Sequence, residues 1–395
     1  MELFQKDRHE LIVATPWNEA ETRRAIGEIA TDAVAHFDPE KLWPSHPLDG
    51  VPDGMANLYF GAMGNILALD HLTREGAIAE AFDFRPLLPG LIERDTLWLR
   101  NVPLGVYGSL LMGDLGTLLA AERLAPDRAT ADRIFARAWD NNALPPLEMM
   151  WGTPGSMLAC VFMHTLTSDA RFAKLYRLQA QRLLDDVQDA GACRLWAQDL
   201  YGKHFRFLGL VHGFAGNALA LLKGWQWLDG QQQQNARTLL SDMLAATARH
   251  EGQAANWPAD AENPDAPMLS QICHGAPGIV TGFAEAPFSS PEFERLLVEG
   301  GELIWAAGPL KKGSNFCHGT GGNAYALLKL YKRTGDAKWL ERARAFAMTA
   351  IAQWRAATAE HGKMRYSLWT GDSGLALCLW SCIKAEPKFP ALDAI

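Results

Sequence analysis

The segment SNFCHGTGGNAYALLKL, residues 314–330, contains an adjacent Cys317–His318 pair, a Gly-x-x-Gly turn and an apolar run with helical spacing. An upstream segment, QICHGAPGIVTGF, repeats this pattern around Cys273 and His274. Thiolate and imidazole are ligand types that zinc prefers. Two Cys-His pairs in the same position of a repeated turn therefore indicate a metal site, built on turns that also start helices.

The Gly-x-x-Gly unit recurs along the whole chain with other residues before the glycines. Each unit is followed by a Leu/Ala-rich apolar segment, and a recurrence of this size is typical of stacked supersecondary units. The glycines are therefore structural, whereas the Cys and His residues are additions to the turn. The first glycines of the seven units are Gly61, Gly113, Gly152, Gly213, Gly275, Gly319 and Gly371.

Amphipathic segments lie between the turns and carry apolar residues at i, i+3, i+4 and i+7, as helices do. Asn18 and Asp336 are suitable N-cap residues for two of these segments. Strand-like alternation is scarce. The predicted amphipathic helices span Asn18–Phe37, Ala170–Ala190, Gln231–His250, Pro291–Ala307 and Asp336–Trp354.

The apolar segments cannot face water, so we expect them to form an inner ring with the amphipathic helices outside. The predicted fold is all-α, an α/α toroid of seven helix-pair repeats with the Gly-x-x-Gly turns at one end. The residues just before each first glycine would then line a common mouth. These residues are Phe60, Met112, Trp151, His212, His274, His318 and Thr370.

Composition excludes several classes of protein. With 395 residues and 48% hydrophobic content the chain can bury a large core, and we expect residues 1–395 to form a single domain. A formal charge of −8 and a pI near 5.8 argue against a nucleic-acid partner. The chain has no run of about 18 apolar residues, so we expect no membrane span.

The cysteine content bears on the compartment. Six cysteines in so long a chain do not form a disulfide framework, and the first residues do not resemble a signal peptide. We therefore expect a cytoplasmic location.

Cys273, Cys317 and His318 are the predicted metal ligands. Adjacent repeats of a toroid place equivalent positions side by side, so the two thiols should converge. Three protein ligands leave one of the four positions around Zn²⁺ open, as in catalytic sites. That position suits either a thiol, which metal binding deprotonates, or a hydroxide for hydrolysis. The alternative to a metal site is a pair of buried free cysteines with a capping histidine.

Four further residues are candidates for the same site. His212 stands at the mouth without a neighbouring cysteine, and an imidazole with a pKa near about 6.5 suits acid–base catalysis. Glu148 and Asp114 could place carboxylates at the rim, or could cap helices. His274 has a weaker case, because a fourth protein ligand would close the metal site. A histidine that only satisfies backbone groups is the alternative for His212.

At these residues the sequence resembles the lanthionine synthetase C-like family, which comprises bacterial LanC cyclases and LanC-like proteins. GLVHGFAG, ICHGAPGIV, FCHGTGGNAYALL and SLWTGDSG are similar to the family's fourth to seventh motifs. MGDLG and EMMWGTPG resemble the second and third motifs of LanC-like proteins. The resemblance covers nearly the whole chain and is densest over residues 202–379.

The resemblance implies an α/α toroid with Zn²⁺ held by Cys273, Cys317 and His318, and with His212 as the acid or base. It also implies the addition of a thiol to dehydroalanine or dehydrobutyrine, which forms a thioether. Cyclases close rings within a peptide, whereas LanC-like proteins are associated with adding glutathione. The implied partners are therefore glutathione or a cysteine-containing peptide, and a peptide or protein that contains a dehydroamino acid.

Some positions depart from the cyclase pattern. Cyclases have a tyrosine and an arginine where this chain has His274 and Leu269, which favours the LanC-like branch. Lys312 matches a lysine that LanC-like proteins place near glutathione, so we expect Lys312 to contact substrate; a solvated loop is the alternative. We also expect His274, which adjoins Cys273, to contact substrate. The third motif has Trp151 and Thr153 where LanC-like proteins usually have Tyr and Arg.

Three functional hypotheses follow. The first is a zinc-dependent thiol-addition enzyme. The second is a glycan-processing toroid with Glu148 and Asp114 as its carboxylates, although that reading leaves the Cys-His pairs unexplained. The third is a zinc-containing protein that binds glutathione or a peptide without turnover.

Overall fold

The three-dimensional structure, a computed structural model, describes residues 2–79, 82–101, 108–263 and 265–395. Within these ranges the chain forms fourteen α-helices, which alternate between an outer and an inner position. The outer, odd-numbered helices are α1 (Glu19–Ala35), α3 (Leu88–Arg100), α5 (Arg128–Asp140), α7 (Ala170–Asp185), α9 (Gly230–Thr247), α11 (Pro291–Ala307) and α13 (Ala337–His361). The inner, even-numbered helices are α2 (Ala62–Arg74), α4 (Asp114–Leu124), α6 (Thr153–Thr167), α8 (Phe214–Lys223), α10 (Ala276–Phe283), α12 (Thr320–Thr334) and α14 (Asp372–Lys384).

Short elements complete the described part of the chain. Three antiparallel hairpins pair β1 (Gln188–Asp189) with β2 (Arg194–Leu195), β3 (Gln198–Leu200) with β4 (Lys203–Phe205), and β5 (Arg249–Glu251) with β6 (Ala254–Asn256). Single-turn 3-10 helices span Lys6–Arg8, Arg85–Leu87, Asn141–Ala143 and Trp225–Trp227.

The inner helices close into a ring. Each even-numbered helix contacts the next one, and α14 contacts α2, so the first and last units are neighbours. Every residue of α10 is buried, whereas α7 buries only the face that carries Phe172, Leu175, Tyr176 and Gln179. This difference follows from the sequence pattern, because an apolar helix needs cover on all sides and an amphipathic one on a single face. The predicted all-α toroid is confirmed. That the chain forms a single domain stays a prediction.

The glycine turns explain how the ring packs so tightly. In every unit the first glycine is the residue immediately before the inner helix. A Cβ atom added to the second glycine would lie only 1.9–2.4 Å from the carbonyl oxygen six residues earlier. At Gly64 the same Cβ would also meet Leu368 of the seventh unit at 2.7 Å. Only glycine allows neighbouring turns to approach this closely.

Backbone hydrogen bonds join the turns through the residue that lies two positions before each first glycine. These bonds place the turns of the second, first, seventh, sixth and fifth units side by side. They run from Tyr59 N to Leu111 O (3.0 Å), from Trp369 N to Tyr59 O (3.4 Å), from Cys317 N to Trp369 O (2.8 Å) and from Cys273 N to Cys317 O (3.2 Å).

The predicted outer helices lie where the sequence places them, but several end at different residues from those predicted. Asn18 and Asp336 are confirmed as N-caps, since their side chains accept hydrogen bonds from backbone N–H groups of α1 and α13. Helix α13 continues to His361, beyond the predicted end, whereas α7 and α9 end earlier, because a hairpin strand begins within a few residues of each. Among the described helices, none combines the length and apolar character that a membrane span requires.

Candidate metal centre and its surroundings

Two neighbouring turns bring three ligand atoms together. Cys273 and Cys317 occupy the same position in the fifth and sixth units, and His318 follows Cys317 directly. The two sulfur atoms and one imidazole nitrogen all lie within 4.8 Å of one another. Cys273 Sγ is 3.4 Å from His318 Nδ1. The predicted convergence of these residues is therefore present.

The local sequence holds these ligands in place. The Asn315 side chain accepts a hydrogen bond from the backbone N–H of His318 at 2.9 Å, which fixes the sixth turn. Gly275 has a φ of 103°, a conformation that favours glycine, and an added Cβ would lie 1.9 Å from Leu269 O. The fifth turn therefore requires glycine directly after the Cys273–His274 pair.

The donor set fits a zinc ion. Two sulfur ligands and one nitrogen ligand match the protein ligands of a three-ligand zinc site with one open position. The hydrogen bond from the Cys317 thiol lowers the pKa of Cys273 well below its usual value, against the effect of burial, and His318 adds to this. Burial raises the pKa of Cys317. Cys273 therefore ionises readily, whereas ionisation of Cys317 next to it requires a nearby positive charge such as a metal cation.

Two hydrogen-bond donors to the sulfurs were missed by the sequence analysis. The Tyr59 hydroxyl donates to Cys317 Sγ at 3.0 Å, and Gln271 Nε2 lies 3.0 Å from Cys273 Sγ. Tyr59 also stacks on Trp369, with ring centroids 5.7 Å apart. A signal for Tyr59 was available, because it lies two residues before Gly61, the position that the two cysteines occupy in their units.

His212 and Glu148 form a hydrogen-bonded pair. His212 Nδ1 lies 2.9 Å from a carboxylate oxygen of Glu148, and the Glu148 side chain is completely buried. Glu148 also accepts hydrogen bonds from the backbone N–H groups of Met150 (3.1 Å) and Trp151 (2.5 Å). The carboxylate therefore both caps its own turn and orients the imidazole, which leaves Nε2 of His212 for other contacts.

The surroundings favour the protonated form of His212. Burial lowers the pKa of His212, but the hydrogen bond and charge of Glu148, together with the negative charge of Cys273, outweigh burial and raise that pKa above its ordinary value. The side chain of His212 is 20% exposed, so a molecule in the mouth can reach it.

The remaining predicted residues lie in different surroundings. His274 packs edge-on against Phe207 at 5.5 Å, and burial lowers its pKa. Lys312 is exposed, five residues before Cys317 in the chain; burial raises the pKa of Cys317, and the positive charge of Lys312 opposes a small part of that rise. Asp114 is the first residue of α4 and forms a 2.7 Å ion pair with Arg137.

The predicted site residues do not all lie in the turns that carry the cysteines. His274 and Lys312 belong to the turns that carry the cluster, whereas Asp114 belongs to the second turn, where it pairs with Arg137. The roles assigned to Asp114, Lys312 and His274 from the sequence stay predictions.

Comparison with protein families gives one extended match and several relatives. The family model described as lanthionine synthetase C-like protein matches residues 108–393. LanC-like protein GCL1 of Arabidopsis thaliana is 33% identical over 217 residues, 52% of this chain and 47% of that protein. Glutathione S-transferase LANCL1 of Danio rerio is 27% identical over 264 residues, 63% of this chain and 62% of that protein. The chain thus spans about half and about three-fifths of these two relatives.

A solved structure, that of nisin cyclase, shares the fold. It superposes with a TM-score of 0.62 and covers 85% of this chain and 90% of its own. The sequence identity is 16%, so this likeness concerns the fold alone.

Proposed function

Because this chain belongs to the lanthionine synthetase C-like protein family, we propose that it adds a thiol to dehydroalanine or dehydrobutyrine residues in a zinc-dependent reaction that forms a thioether. The observation that carries this proposal is the meeting of Cys273, Cys317 and His318 within 4.8 Å. Glutathione is the proposed thiol donor, with a peptide cysteine as the alternative, and the name of the LANCL1 relative supports glutathione.

Cys273, Cys317 and His318 would hold the ion. When bound, zinc would keep a thiol donor in its deprotonated, nucleophilic form at neutral pH. Tyr59 and Gln271 orient the two protein sulfurs through their hydrogen bonds, as outer-shell partners of metal ligands commonly do. The exposed Lys312 offers a positive charge on the solvent side, which suits the carboxylates of glutathione.

His212 is the proposed proton donor. A thiolate that attacks the β-carbon of the dehydroamino acid forms the S–C bond and moves the π electron pair to the α-carbon, which then takes up a proton. Glu148 holds His212 through Nδ1 and raises its pKa, so Nε2 carries a proton to deliver. His274 lies by the cluster and is proposed to contact substrate. For Asp114, the ion pair with Arg137 supports a role in holding the second turn.

A cytoplasmic location is part of the proposal. All six cysteines are free, and the thiol donor that we propose is plentiful in a reducing compartment.

The first experiment measures metal content and turnover together. Purified parent protein, Cys317→Ala and the control Cys193→Ala are compared by mass spectrometry of released metal. We expect one zinc per chain in the parent and the control, and a large loss in Cys317→Ala. Each protein is then incubated with glutathione and a dehydroalanine peptide, and the thioether product is detected by mass.

The outcomes separate the proposals. Absence of zinc from folded parent protein would refute the thiol-activation mechanism. Bound zinc and glutathione without turnover, equally in the parent and in His212→Ala, would instead identify a binding protein.

A further inference from the structure

The β3–β4 hairpin ends in an unusual turn. Its two central residues, Tyr201 and Gly202, have φ values of 55° and 73°. A two-residue turn with positive φ at both positions is of type I′, which strongly favours Asn-Gly or Asp-Gly. Positive φ is uncommon for a bulky aromatic residue. The Tyr201 side chain is also 56% exposed, so burial in a core does not compensate for the unfavourable conformation.

Tyr201 packs against the turn of the third unit. The indole N–H of Trp151, the mouth residue of the third unit, donates to the Tyr201 hydroxyl at 2.8 Å, and the two rings meet edge to face at 6.5 Å. The backbone N–H of Trp151 donates to Glu148, which in turn holds His212. A strained, exposed tyrosine thus lies two contacts away from the His212–Glu148 pair.

The chain after the hairpin turn carries more aromatic side chains to the same place. Phe205 and Phe207 stack with centroids 4.4 Å apart, and Phe207 lies 6.3 Å from His212 and 5.5 Å from His274. Aromatic side chains of this segment therefore lie beside the two histidines, at Phe207, and against the third turn, at the exposed Tyr201.

We propose that Tyr201 is a specificity-determining residue that contacts the polypeptide flanking the reacting dehydroamino acid. This inference rests on the proposed function and deepens it. A dehydroamino acid that reacts at the cluster must have its flanking residues extend outward past the neighbouring turns, where Tyr201 is an exposed aromatic group beside the third turn. Tyrosine contributes a large contact area for little loss of side-chain entropy, which suits this role. A backbone conformation disfavoured for a bulky residue, found beside an active site, is also a recognised mark of function.

The test compares two acceptors, an N-acetyl-dehydroalanine amide and a short peptide with one central dehydroalanine. Tyr201→Asn keeps the turn, since asparagine favours this conformation, whereas Tyr201→Phe keeps the ring. We expect Tyr201→Asn to raise KM for the peptide about tenfold, the size typical of losing an aromatic contact. KM and kcat for the small amide should stay at parent values, and Tyr201→Phe should resemble the parent. Lys203→Ala, an exposed change on the same hairpin, is the control and should have no effect.

Equal losses with both acceptors, or the same loss in Lys203→Ala, would show that Tyr201 acts only through the hairpin and would overturn the inference. Thermal unfolding of Tyr201→Asn at or above the parent temperature verifies that the hairpin is intact.

A binding measurement separates this inference from the proposed reaction. A fluorescein-labelled peptide with alanine in place of dehydroalanine binds without reacting, and its anisotropy reports Kd. An unchanged Kd in Tyr201→Asn would refute the role of Tyr201 even in an active enzyme. A Kd about tenfold higher, in a protein without turnover, would support Tyr201 while the proposed reaction fails.

Discussion

Replacing Gly209 with alanine should weaken zinc binding at the candidate metal centre, although no ligand residue is replaced. Gly209 lies in the fourth turn, and an added Cβ would be 1.7 Å from the carbonyl oxygen of Cys273 and 3.0 Å from the Cα of His274. Real Cβ atoms essentially never come closer than 3.0 Å to such neighbours, so the two backbones must separate by about 1.3 Å. Because Gly209 has no positive φ, the effect is one of space and not of conformation.

The expected loss follows from metal geometry. Zinc–sulfur bonds are about 2.3 Å long and tolerate deviations of only about 0.2 Å. A Cys273 backbone displaced by several times this tolerance cannot keep its sulfur in place unless its side chain rearranges. We expect zinc affinity to fall about 100-fold, the upper end for changes just outside the ligand shell. The unfolding free energy should fall by about 1–3 kcal/mol from overpacking.

The assay is a zinc titration against a chromogenic chelator, with unfolding followed in parallel. Gly116→Ala is the matched control for strain, because its Cβ would lie 1.9 Å from Leu110 O in the second unit. It should lose stability and keep zinc affinity. Gly27→Ala, inside α1 with nothing within 4 Å, should gain up to about 1 kcal/mol. Parent-like zinc affinity in Gly209→Ala would refute the reasoning, as would an equal loss of affinity in Gly116→Ala.

Three further changes test the chemistry around the turns. Glu148→Gln removes the negative charge that helps to raise the pKa of His212. Because the proposed proton donor His212 must be protonated to act, the fall of kcat/KM at alkaline pH should begin at a lower pH. A pH profile that does not move would contradict the role proposed for His212. Tyr59→Phe removes the hydroxyl that donates to Cys317, so zinc affinity should fall about tenfold, and unchanged affinity would exclude a positioning role. Burial raises the pKa of Asp372 to about 7, so the folded state loses stability as pH rises from about 4 to 7. In urea unfolding, Asp372→Asn should therefore raise the free energy of unfolding by up to about 4 kcal/mol above pH 7 and leave it unchanged near pH 4. An increase that is the same at every pH would contradict this prediction.

The repeat made much of this architecture predictable. The Gly-x-x-Gly units and the apolar runs behind them located the inner helices, because helix periodicity and tight glycine turns are local properties. Cys273 and Cys317 were paired correctly since both occupy one position of a repeat, and a ring places such positions together. The inner helix of the fifth unit, α10, has only eight residues, which agrees with the short apolar run IVTGF in the sequence. Helices α3 and α5 and the three hairpins were not singled out, since their patterns are short or mixed.

The arrangement around the ligands could be read only in part. Glu148 was a candidate carboxylate, but its place beneath His212, 64 positions away, depends on how the third and fourth units pack. Tyr59 shares its position in the unit with the two cysteines, but the contact itself depends on the closure of the ring, since its sulfur partner lies 258 positions further along the chain. The ion pair between Asp114 and Arg137 joins the second turn to α5 and likewise could not be read from the sequence, and the catalytic role of Asp114 stays a prediction.

The sequence by itself determined the inner helices, most of the outer ones, the glycine turns and the three candidate sulfur and nitrogen ligands, because each follows from residues close together in the chain or from one position of a repeat. Tertiary structure alone decided which groups surround those ligands: the Tyr59 hydroxyl on Cys317, the Glu148 carboxylate on His212, and Gly209 against the Cys273 carbonyl. Their distances are set by the closure and packing of the ring, and those depend on every turn at once.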